Sequence, residues 1–556
     1  MPDFSRRNFL KAAAVGALTT TGLTRGEAWG QTPTREVLYN GIRLGSPWPP
    51  DNRYFSPDPI TPPYLADPPA VIPIDVGRQL FVDDFLIEES SLARTFHKAQ
   101  YHPGNPVLRP ATPWEYRDEY ADRTQTKPNP AAMPFSDGVF YDPADRLFKM
   151  WYMGGYSQNT CLAVSKDGIS WERPALDVTK GTNIVLTHPR DSSTVWLDHE
   201  DRDGGGRFKM AFYNGSEGGL LLFTSPDGMH WRQVGKSRNR GDRSTFFWNP
   251  FRQVWVFSLR DDVNGNQRHR RYFECRDFAK ARWDEGPPPL LWIGADHRDR
   301  WRPEYNTPPE LYNLDCVAYE SLVIGLFTIW HGEHVAREKP NDISIGYSRD
   351  GFNWSRPTRE AFIGVSETAG DWNWANVQSA GGCCLTVGDR LYFYVSGRQG
   401  EPGTNRPGVC STGLATLRRD GFASLSDDVR TPQPVRARQS PPGSVTTRPL
   451  RFSGGHLFVN AAVTGQLRVE VLDREGRVIE PFSAAKAVPV TGDATRIPVS
   501  WHTGASLKSL AGEIVRFRFT LTRGRLYSFW VSGSATGASG GYVAAGGPGF
   551  RSGRDV

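Results

Sequence analysis

The sequence of 556 residues has few cysteines and, after its first 30 residues, no long hydrophobic run. The six cysteines show no C-x-x-C spacing and most lie far apart, which argues against a zinc site and against a disulfide framework. They are Cys161, Cys275, Cys316, Cys383, Cys384 and Cys410. We therefore predict mostly buried thiols, with the adjacent Cys383 and Cys384 on opposite faces of one strand.

The formal charge is only +6 and is dispersed along the chain, so we do not expect a nucleic-acid partner. Residues 331–334 read His-Gly-Glu-His, which is not the His-Glu-x-x-His spacing of zinc proteases. We predict neither a metal site nor a cofactor.

The N-terminus carries an export signal. Arg6 and Arg7 directly precede Phe9-Leu10-Lys11, and residues 12–23 are small and apolar. This pattern is typical of signals read by the twin-arginine translocase, and the run is shorter than the ~20 apolar residues of a membrane span. We predict that residues 1–30 are removed and that a periplasmic or secreted bacterial protein without a stable membrane anchor remains.

The chain is rich in turn formers and aromatics, with 57 glycines, 43 prolines and 12% aromatic residues. Such a composition favours many short strands over long helices. A length above 500 residues favours two or three domains.

One pattern recurs along the middle of the chain. Residues 163–171, 223–231 and 346–354 each end in Ser-x-Asp-Gly-x-x-Trp, and residues 416–422 are a weaker copy. Each copy predicts a strand, a tight Asp-Gly turn and a second strand that opens with an aromatic residue.

The spacing of these copies predicts the architecture. Their aspartates lie 60, 123 and 70 residues apart, and residues 272–283 supply a degenerate copy within the long interval. A further strand pair precedes each copy, as in residues 138–152 and 245–257. Four strands per unit, repeated radially, indicate a propeller of five blades. A linear β-solenoid is disfavoured because its repeats are much shorter.

After about residue 430 the repeat stops, and period-two alternation between glycine turns predicts a small antiparallel sandwich. The predicted fold is all-β, a five-bladed β-propeller followed by a C-terminal antiparallel β-sandwich. We expect a strand within residues 79–88 to close the ring. The predicted domains are the signal (1–30), a Pro-rich extended segment (31–75), the propeller (76–430), the sandwich (431–533) and a Gly-rich disordered tail (534–556).

These motifs resemble those of the invertase and arabinanase superfamily, glycoside hydrolase families 32 and 43. The similarity is closest to bacterial proteins called glycosyl hydrolase family 32-like, through Phe-Val-Asp-Asp at 81–84 and Thr-Gly-Leu-Ala-Thr-Leu-Arg-Arg-Asp-Gly-Phe at 412–422. The resemblance implies an exported enzyme that cleaves a glycosidic bond in a poly- or oligosaccharide, with carboxylates from several blades meeting in a central funnel. The Arg-Asp-Pro motif of these families corresponds to Arg190-Asp191-Ser192.

Acetal hydrolysis needs one protonated carboxyl and one ionised carboxylate. Acidic residues placed just before each inner strand should converge at one end of the propeller axis. We predict Asp137 as base or nucleophile, Glu310 as acid, and Asp191 and Asp242 as groups that tune the site or bind sugar. The alternative for each is an aspartate that forms a turn or caps a strand.

Substrate binding is predicted for basic, aromatic and polar neighbours. Arg243 or Arg260 could hold a sugar carboxylate in a bidentate fork, or form a structural salt bridge instead. Aromatic rings could stack on sugar faces or belong to the core. The further candidates are Asp315, Tyr312, Trp330, His331, Trp374, Asn376 and Gln378.

Two other functions stay open, because a fold does not fix a chemistry. One is a glycan-binding propeller without catalysis. The other is a glycoside phosphorylase, in which a cluster of Arg, Lys and His would replace the base that activates water.

Overall fold

The computed structural model describes residues 36–50, 56–119, 121, 126–201, 203–238, 240–263, 267–332, 337–427 and 442–556. The predicted signal lies outside these residues, so export stays a prediction. The helices comprise α1 (Pro63–Ala66) and six 3₁₀ turns, Pro113–Tyr116, Gly215–Glu217, Phe278–Lys280, Pro303–Tyr305, Glu480–Phe482 and Leu507–Leu510. Within the described ranges, none of the helices has the length and hydropathy of a membrane span.

Five short strands precede the repeats. They are β1 (Ile72–Pro73), β2 (Gln79–Leu80), β3 (Ile87–Ser90), β4 (Ala93–Phe96) and β5 (Gln100–Tyr101). Only β5 joins the propeller, whereas β2, β3 and β4 pair with strands of the C-terminal sheet.

The repeats form five antiparallel blades, which confirms the predicted propeller. Blade 1 contains β6 (Ala132–Asp142), β7 (Leu147–Gly154), β8 (Asn159–Ser165) and β9 (Ile184–Leu186); blade 2 contains β10 (Ser192–Leu197), β11 (Phe208–Asn214), β12 (Gly219–Ser225) and β13 (Arg232–Arg238). Blade 3 contains β14 (Thr245–Asn249), β15 (Val254–Val263), β16 (Gln267–Cys275) and β17 (Leu290–Ile293). Blade 4 contains β18 (Glu310–Glu320), β19 (Leu322–Trp330) and β20 (Asn341–Ser348); blade 5 contains β21 (Asn376–Ser379), β22 (Leu385–Val387), β23 (Arg390–Arg398) and β24 (Cys410–Arg418).

The ring is closed by β5, which pairs with β24 at Tyr101 and Ala415. The expected closing segment, residues 79–88, lies instead in the C-terminal sheet. Its apolar side chains explain this placement, because Phe81 packs 5.6 Å from Phe529 in the core of that sheet. Burying these rings removes more apolar area from water than an edge position in blade 5 would.

The C-terminal part is the predicted β-sandwich. Its strands are β25 (Ala423–Ser426), β26 (Gly443–Thr447), β27 (Leu450–Arg451), β28 (His456–Leu472), β29 (Val490–Val499) and β30 (Arg516–Ser532). The 17-residue strands β28 and β30 pair along their length, with bulges that bend them. Their inward side chains form a core separate from that of the propeller.

The residues after β30 are ordered, although their composition predicts a disordered tail. β31 (Tyr542–Val543) pairs with the end of β18 in blade 4. Glycine permits this contact, because a Cβ on Gly541 would lie 2.2 Å from a carboxylate oxygen of Glu320. The glycines here allow close backbone approach and do not signal disorder.

All six thiols are free, and all but Cys275 are buried, as predicted. Cys383 and Cys384 lie in a turn before β22 rather than within a strand. Cys383 has φ +56°, a conformation that ends the alternation expected of a strand.

The repeated Ser-x-Asp-Gly sequence builds its turn with side chains. In blade 2, the Ser225 hydroxyl donates to Asp227, whose carboxylate accepts from the backbone N–H groups of Met229 and His230. Gly228 follows with φ +80°, a conformation that favours glycine. The repeat aspartates are therefore turn formers.

The carbonyls of the same glycines accept hydrogen bonds from the neighbouring blade. The Trp151 indole of blade 1 donates to the carbonyl of Gly228 in blade 2 over 2.7 Å. The Tyr394 hydroxyl of blade 5 donates to the carbonyl of Gly168 in blade 1 over 2.6 Å. The motif thus fixes both the turn and the packing of neighbouring blades.

We expect Gly228→Ala to destabilise the protein more than Gly476→Ala. Both glycines have φ above +75°, but a Cβ at Gly228 would lie 2.5 Å from the Trp151 ring, whereas a Cβ at Gly476 would meet nothing within 4 Å. Overpacking should add about 1–3 kcal/mol to the backbone strain that both variants share. Urea unfolding measures the difference in stability. Equal midpoints for the two variants would show that the contact between Gly228 and Trp151 does not stabilise the packing of blades 1 and 2.

A buried ionic junction joins the propeller to the C-terminal sheet. Arg78 contacts Asp420 at 3.0 Å and Glu320 at 3.4 Å, and Arg419 contacts Glu320 at 3.0 Å. The Arg78 guanidinium also lies 4.1 Å from the ring centre of Trp530. Burial alone would raise the pKa of Asp420, but Arg78 and Arg419 outweigh it and lower that pKa to about 2.

Candidate active site

The starts of the inner strands meet around Arg243, directly before β14. Its guanidinium donates to the Phe135 carbonyl of blade 1 over 3.0 Å and to the Asn313 side chain of blade 4 over 3.2 Å. Its backbone N–H donates to the Ser192 hydroxyl of blade 2 over 2.9 Å. We call the region around Arg243, at this end of the propeller axis, the axial site.

The backbone of blade 1 is distorted where it enters the axial site. The pairing of β6 with β7 is interrupted between Met133 and Gly138. Within this interruption Phe135 has φ +22° and Ser136 has φ +67°. Left-handed conformations at non-glycine residues cost free energy and cluster at functional sites. Here they directly precede Asp137, which accepts hydrogen bonds from Arg190 and Ser193 of the neighbouring blade region.

Asp137 is completely buried. Its carboxylate accepts a hydrogen bond from Arg190 over 2.9 Å and one from the Ser193 hydroxyl. Burial raises the pKa of Asp137, an effect that Arg190 and Ser193 reduce in part. Both carboxylate oxygens are engaged, so the group lies beneath the accessible surface of the site.

Asp191 lies in the bend before β10 and is partly exposed. Its Oδ1 has no hydrogen-bond partner among the described residues. Asp191 is close enough to Arg243 and Tyr156 to affect the pKa of each. Unlike Asp137, Asp191 therefore has one carboxylate oxygen that is buried and has no hydrogen-bond partner among the described residues.

Glu310 is the first residue of β18 and lies opposite Trp330 in the strand register. Its Oε2 lies 4.0 Å from Nε of Arg268, beyond hydrogen-bond distance. Burial raises the pKa of Glu310 despite the opposing effect of Arg268. A carboxyl with a raised pKa keeps its proton at higher pH, as a general acid must.

The two remaining acidic candidates differ in depth. Asp242 is partly exposed and forms an ion pair with Arg260. Asp315 is buried and accepts from Ser379 over 2.5 Å and from Asn313 over 2.8 Å. Burial raises its pKa. Asp315 is therefore part of the buried polar floor of the axial site.

The aromatic candidates divide into two groups. Tyr312 and Trp330 both face Arg268, with its guanidinium carbon 4.5 Å and 5.7 Å from their ring centres. Trp374 instead packs against Arg337, 5.3 Å from its ring centre. Only Tyr312 and Trp330 thus share a neighbour with Glu310.

The polar candidates of blades 4 and 5 have local partners. His331 contacts the carboxylate of Asp342 at 3.0 Å. Asn376 donates to the carbonyl of Lys339 over 2.6 Å, and Gln378 donates to Asn376 over 2.9 Å. These contacts place His331 in a structural pair and the two amides on the wall formed by blade 5.

The sequence prediction missed several arginines of the axial site. Arg268 and Arg270 lie on β16, and Arg398 ends β23 and pairs with Glu338 at 2.6 Å. The sequence contains a signal for Arg268 and Arg270, since alternate residues of a strand point to the same face. The two arginines lie within the third strand of blade 3, whereas the predicted site residues were sought before inner strands.

Within the described ranges, no group of three or more His, Cys, Asp and Glu side chains is arranged to hold a metal ion.

No family model and no curated protein matches the sequence. Among solved structures, an N-acetylgalactosamine deacetylase from F. plautii is similar with a TM-score of 0.38 and 15% identity over 57% of this chain and 97% of its own. A thermostable family-43 glycoside hydrolase has a TM-score of 0.38 and 13% identity over 56% and 99%. An exo-β-1,3-galactanase from Phanerochaete chrysosporium has a TM-score of 0.32 and 12% identity over 76% and 99%.

Proposed function

We propose that this protein is an exported glycoside hydrolase that cleaves a glycosidic bond in a poly- or oligosaccharide at the axial site. The observation that carries the proposal is the set of carboxyls from blades 1, 2 and 4 in three different environments. Asp137 is completely buried, Asp191 has one oxygen without a hydrogen-bond partner among the described residues, and Glu310 has a pKa raised by burial. Carboxyls held in different environments are what acid and base catalysis of acetal hydrolysis needs.

In the proposed reaction Glu310 donates its proton to the glycosidic oxygen as the bond to the anomeric carbon breaks. A carboxylate on the opposite side attacks that carbon or removes a proton from the attacking water. Asp191 suits this role because one of its oxygens has no partner. Asp137, the base predicted from the sequence, has both oxygens engaged and suits a role in holding Arg190.

The two aspartates can be separated by comparing stability with activity. Asp137→Asn should lower the free energy of unfolding by about 3–5 kcal/mol, because it leaves Arg190 buried without a counter-ion. Asp191→Asn should leave the urea midpoint nearly unchanged but lower kcat by about 100-fold or more. A stable, inactive Asp137→Asn variant together with an active Asp191→Asn variant would return the base role to Asp137.

The function itself is tested by incubating the mature protein with plant and algal glycans and measuring reducing-sugar release. Activity that disappears in Glu310→Gln supports hydrolysis at the axial site. Glycan binding without sugar release, in wild type and variants alike, would favour a binding module instead.

A further inference from the structure

Two buried arginines of the axial site have no ion-pair partner among the described residues. Arg243 and Arg270 are both completely buried. Arg270 donates only to carbonyls, those of Tyr312, Arg243 and Ser258, at 2.7–3.2 Å. Neither arginine has a carboxylate within 4 Å among the described residues, and the Nε of each has no partner there. Buried charges are normally paired, whereas here burial lowers the pKa of Arg243, and Asp315 and Asp191 oppose that shift without forming an ion pair with it.

Two further carboxylates near the axial site pair with other arginines. Asp137 pairs with Arg190, and Glu338 pairs with Arg398. The Arg398 guanidinium lies 5.2 Å from the ring centre of Phe135, and that of Arg243 lies 4.0 Å from the same ring. The guanidiniums of Arg243 and Arg398 therefore lie near the same ring.

The pKa values of two nearby groups reflect the arginines around them. Burial should raise the pKa of Tyr312, but Lys339, Arg268 and Arg398 outweigh it and lower that pKa. Buried tyrosines elsewhere, such as Tyr347, have raised pKa values. Burial, together with nearby arginines, also lowers the pKa of Arg270 to about 9.

We propose that the axial site binds an oxyanion, held by Arg268 over Tyr312 and Trp330 and stabilised by the buried Arg243 and Arg270. Arg268 is the accessible member, with 22% of its side chain exposed. Guanidiniums bind carboxylate, sulfate and phosphate through charge-assisted hydrogen bonds. This inference rests on the proposed function and narrows its substrate.

Two sources could supply the anion. It could be a carboxylate carried by the sugar, in which case the substrate is an acidic glycan. It could instead be free phosphate, one of whose oxygens would bond to the anomeric carbon as the glycosidic C–O bond breaks and Glu310 gives its proton to the leaving oxygen. The probes must therefore include both.

The test is titration calorimetry of the mature protein with five ligands: glucuronate, galacturonate, glucose, galactose and inorganic phosphate. The buffer contains about 0.1 M salt, which is close to physiological ionic strength. We expect at least one of the three anions to bind at least about tenfold more tightly than the neutral sugars. Arg268→Gln should weaken that binding about tenfold or more, and Arg268→Lys should weaken it less. Arg232→Gln, on the exposed outer strand of blade 2, is the matched control and should bind as wild type does.

Tighter binding of the uronates identifies an acidic glycan, and tighter binding of phosphate alone identifies a free anion. Equal binding of charged and neutral sugars with no phosphate binding would overturn the proposal, as would binding unchanged in Arg268→Gln. These results are independent of the proposed function, because reducing-sugar release from neutral glycans could persist in either case. If Arg268→Gln does not fold, two results still test the proposal: the affinity of the wild type for anions relative to neutral sugars, and the anion affinity of Arg268→Lys.

Discussion

Glu310→Gln should lower kcat/KM on unactivated glycosides by about 100-fold to 10,000-fold. A glutamine keeps the shape of the side chain but has no proton to give to the departing oxygen, and general acid catalysis contributes rate factors of this size. The loss should be much smaller with nitrophenyl glycosides, whose leaving groups need little protonation. Steady-state kinetics on both substrate types measure the difference.

The pH dependence provides a second measure of the same role. A general acid works only while protonated, so activity should fall as pH rises through the pKa of Glu310. Burial moves this decline above the ordinary range of a glutamate, about pH 4.3. The decline should disappear from the profile of Glu310→Gln.

Glu360 offers a matched control, because it belongs to the same blade region but is exposed and pairs only with Lys98. Glu360→Gln should keep wild-type kinetics and pH profile. Equal losses on activated and unactivated substrates in Glu310→Gln would indicate that Glu310 positions the substrate and does not protonate it.

Arg78→Gln should give the largest loss of stability. It leaves Asp420 and part of the Glu320 charge buried without the cation that faces both, and removing one partner of a buried pair costs about 3–5 kcal/mol. The guanidinium also loses its contact with the Trp530 ring, which ties the propeller to the C-terminal sheet. Urea unfolding followed by tryptophan fluorescence should show a lower midpoint.

The control for this variant is Arg477→Gln. Arg477 forms an ion pair with Asp473, but its side chain is 75% exposed. Solvent screens such a pair, so the urea midpoint should not change. Equal midpoints for Arg78→Gln and wild type would show that the junction is not needed to hold the two parts together.

The propeller could be predicted because its repeat is local. Each Ser-x-Asp-Gly turn is built from neighbouring residues, so its sequence identifies the hairpin directly. The closing strand could not be predicted, since Gln100–Tyr101 is too short to show a period. The segment at 79–88 has a stronger strand pattern, but packing against Phe529 decides where it goes.

The site was predictable in part for a similar reason. Asp137, Asp191 and Glu310 were predicted from their positions before or at the start of inner strands, and their catalytic roles stay a prediction. The exposure of each carboxylate was not predictable, since it depends on partners far away in the chain, such as Arg190 for Asp137. The contribution of β16 to the axial site also depends on how far the side chains of Arg268 and Arg270 extend from blade 3.

The pairing between distant strands sets the order in which the propeller can assemble. The outermost strand of blade 5, β5, is made before the rest of that blade, but Leu385 of blade 5 and the end of β18 in blade 4 complete their backbone pairing only with residues 542–544. Until those residues are made, the edge of β18 carries unpaired backbone groups that another chain could pair with. A chain shortened before β31 should therefore aggregate more readily than the full chain.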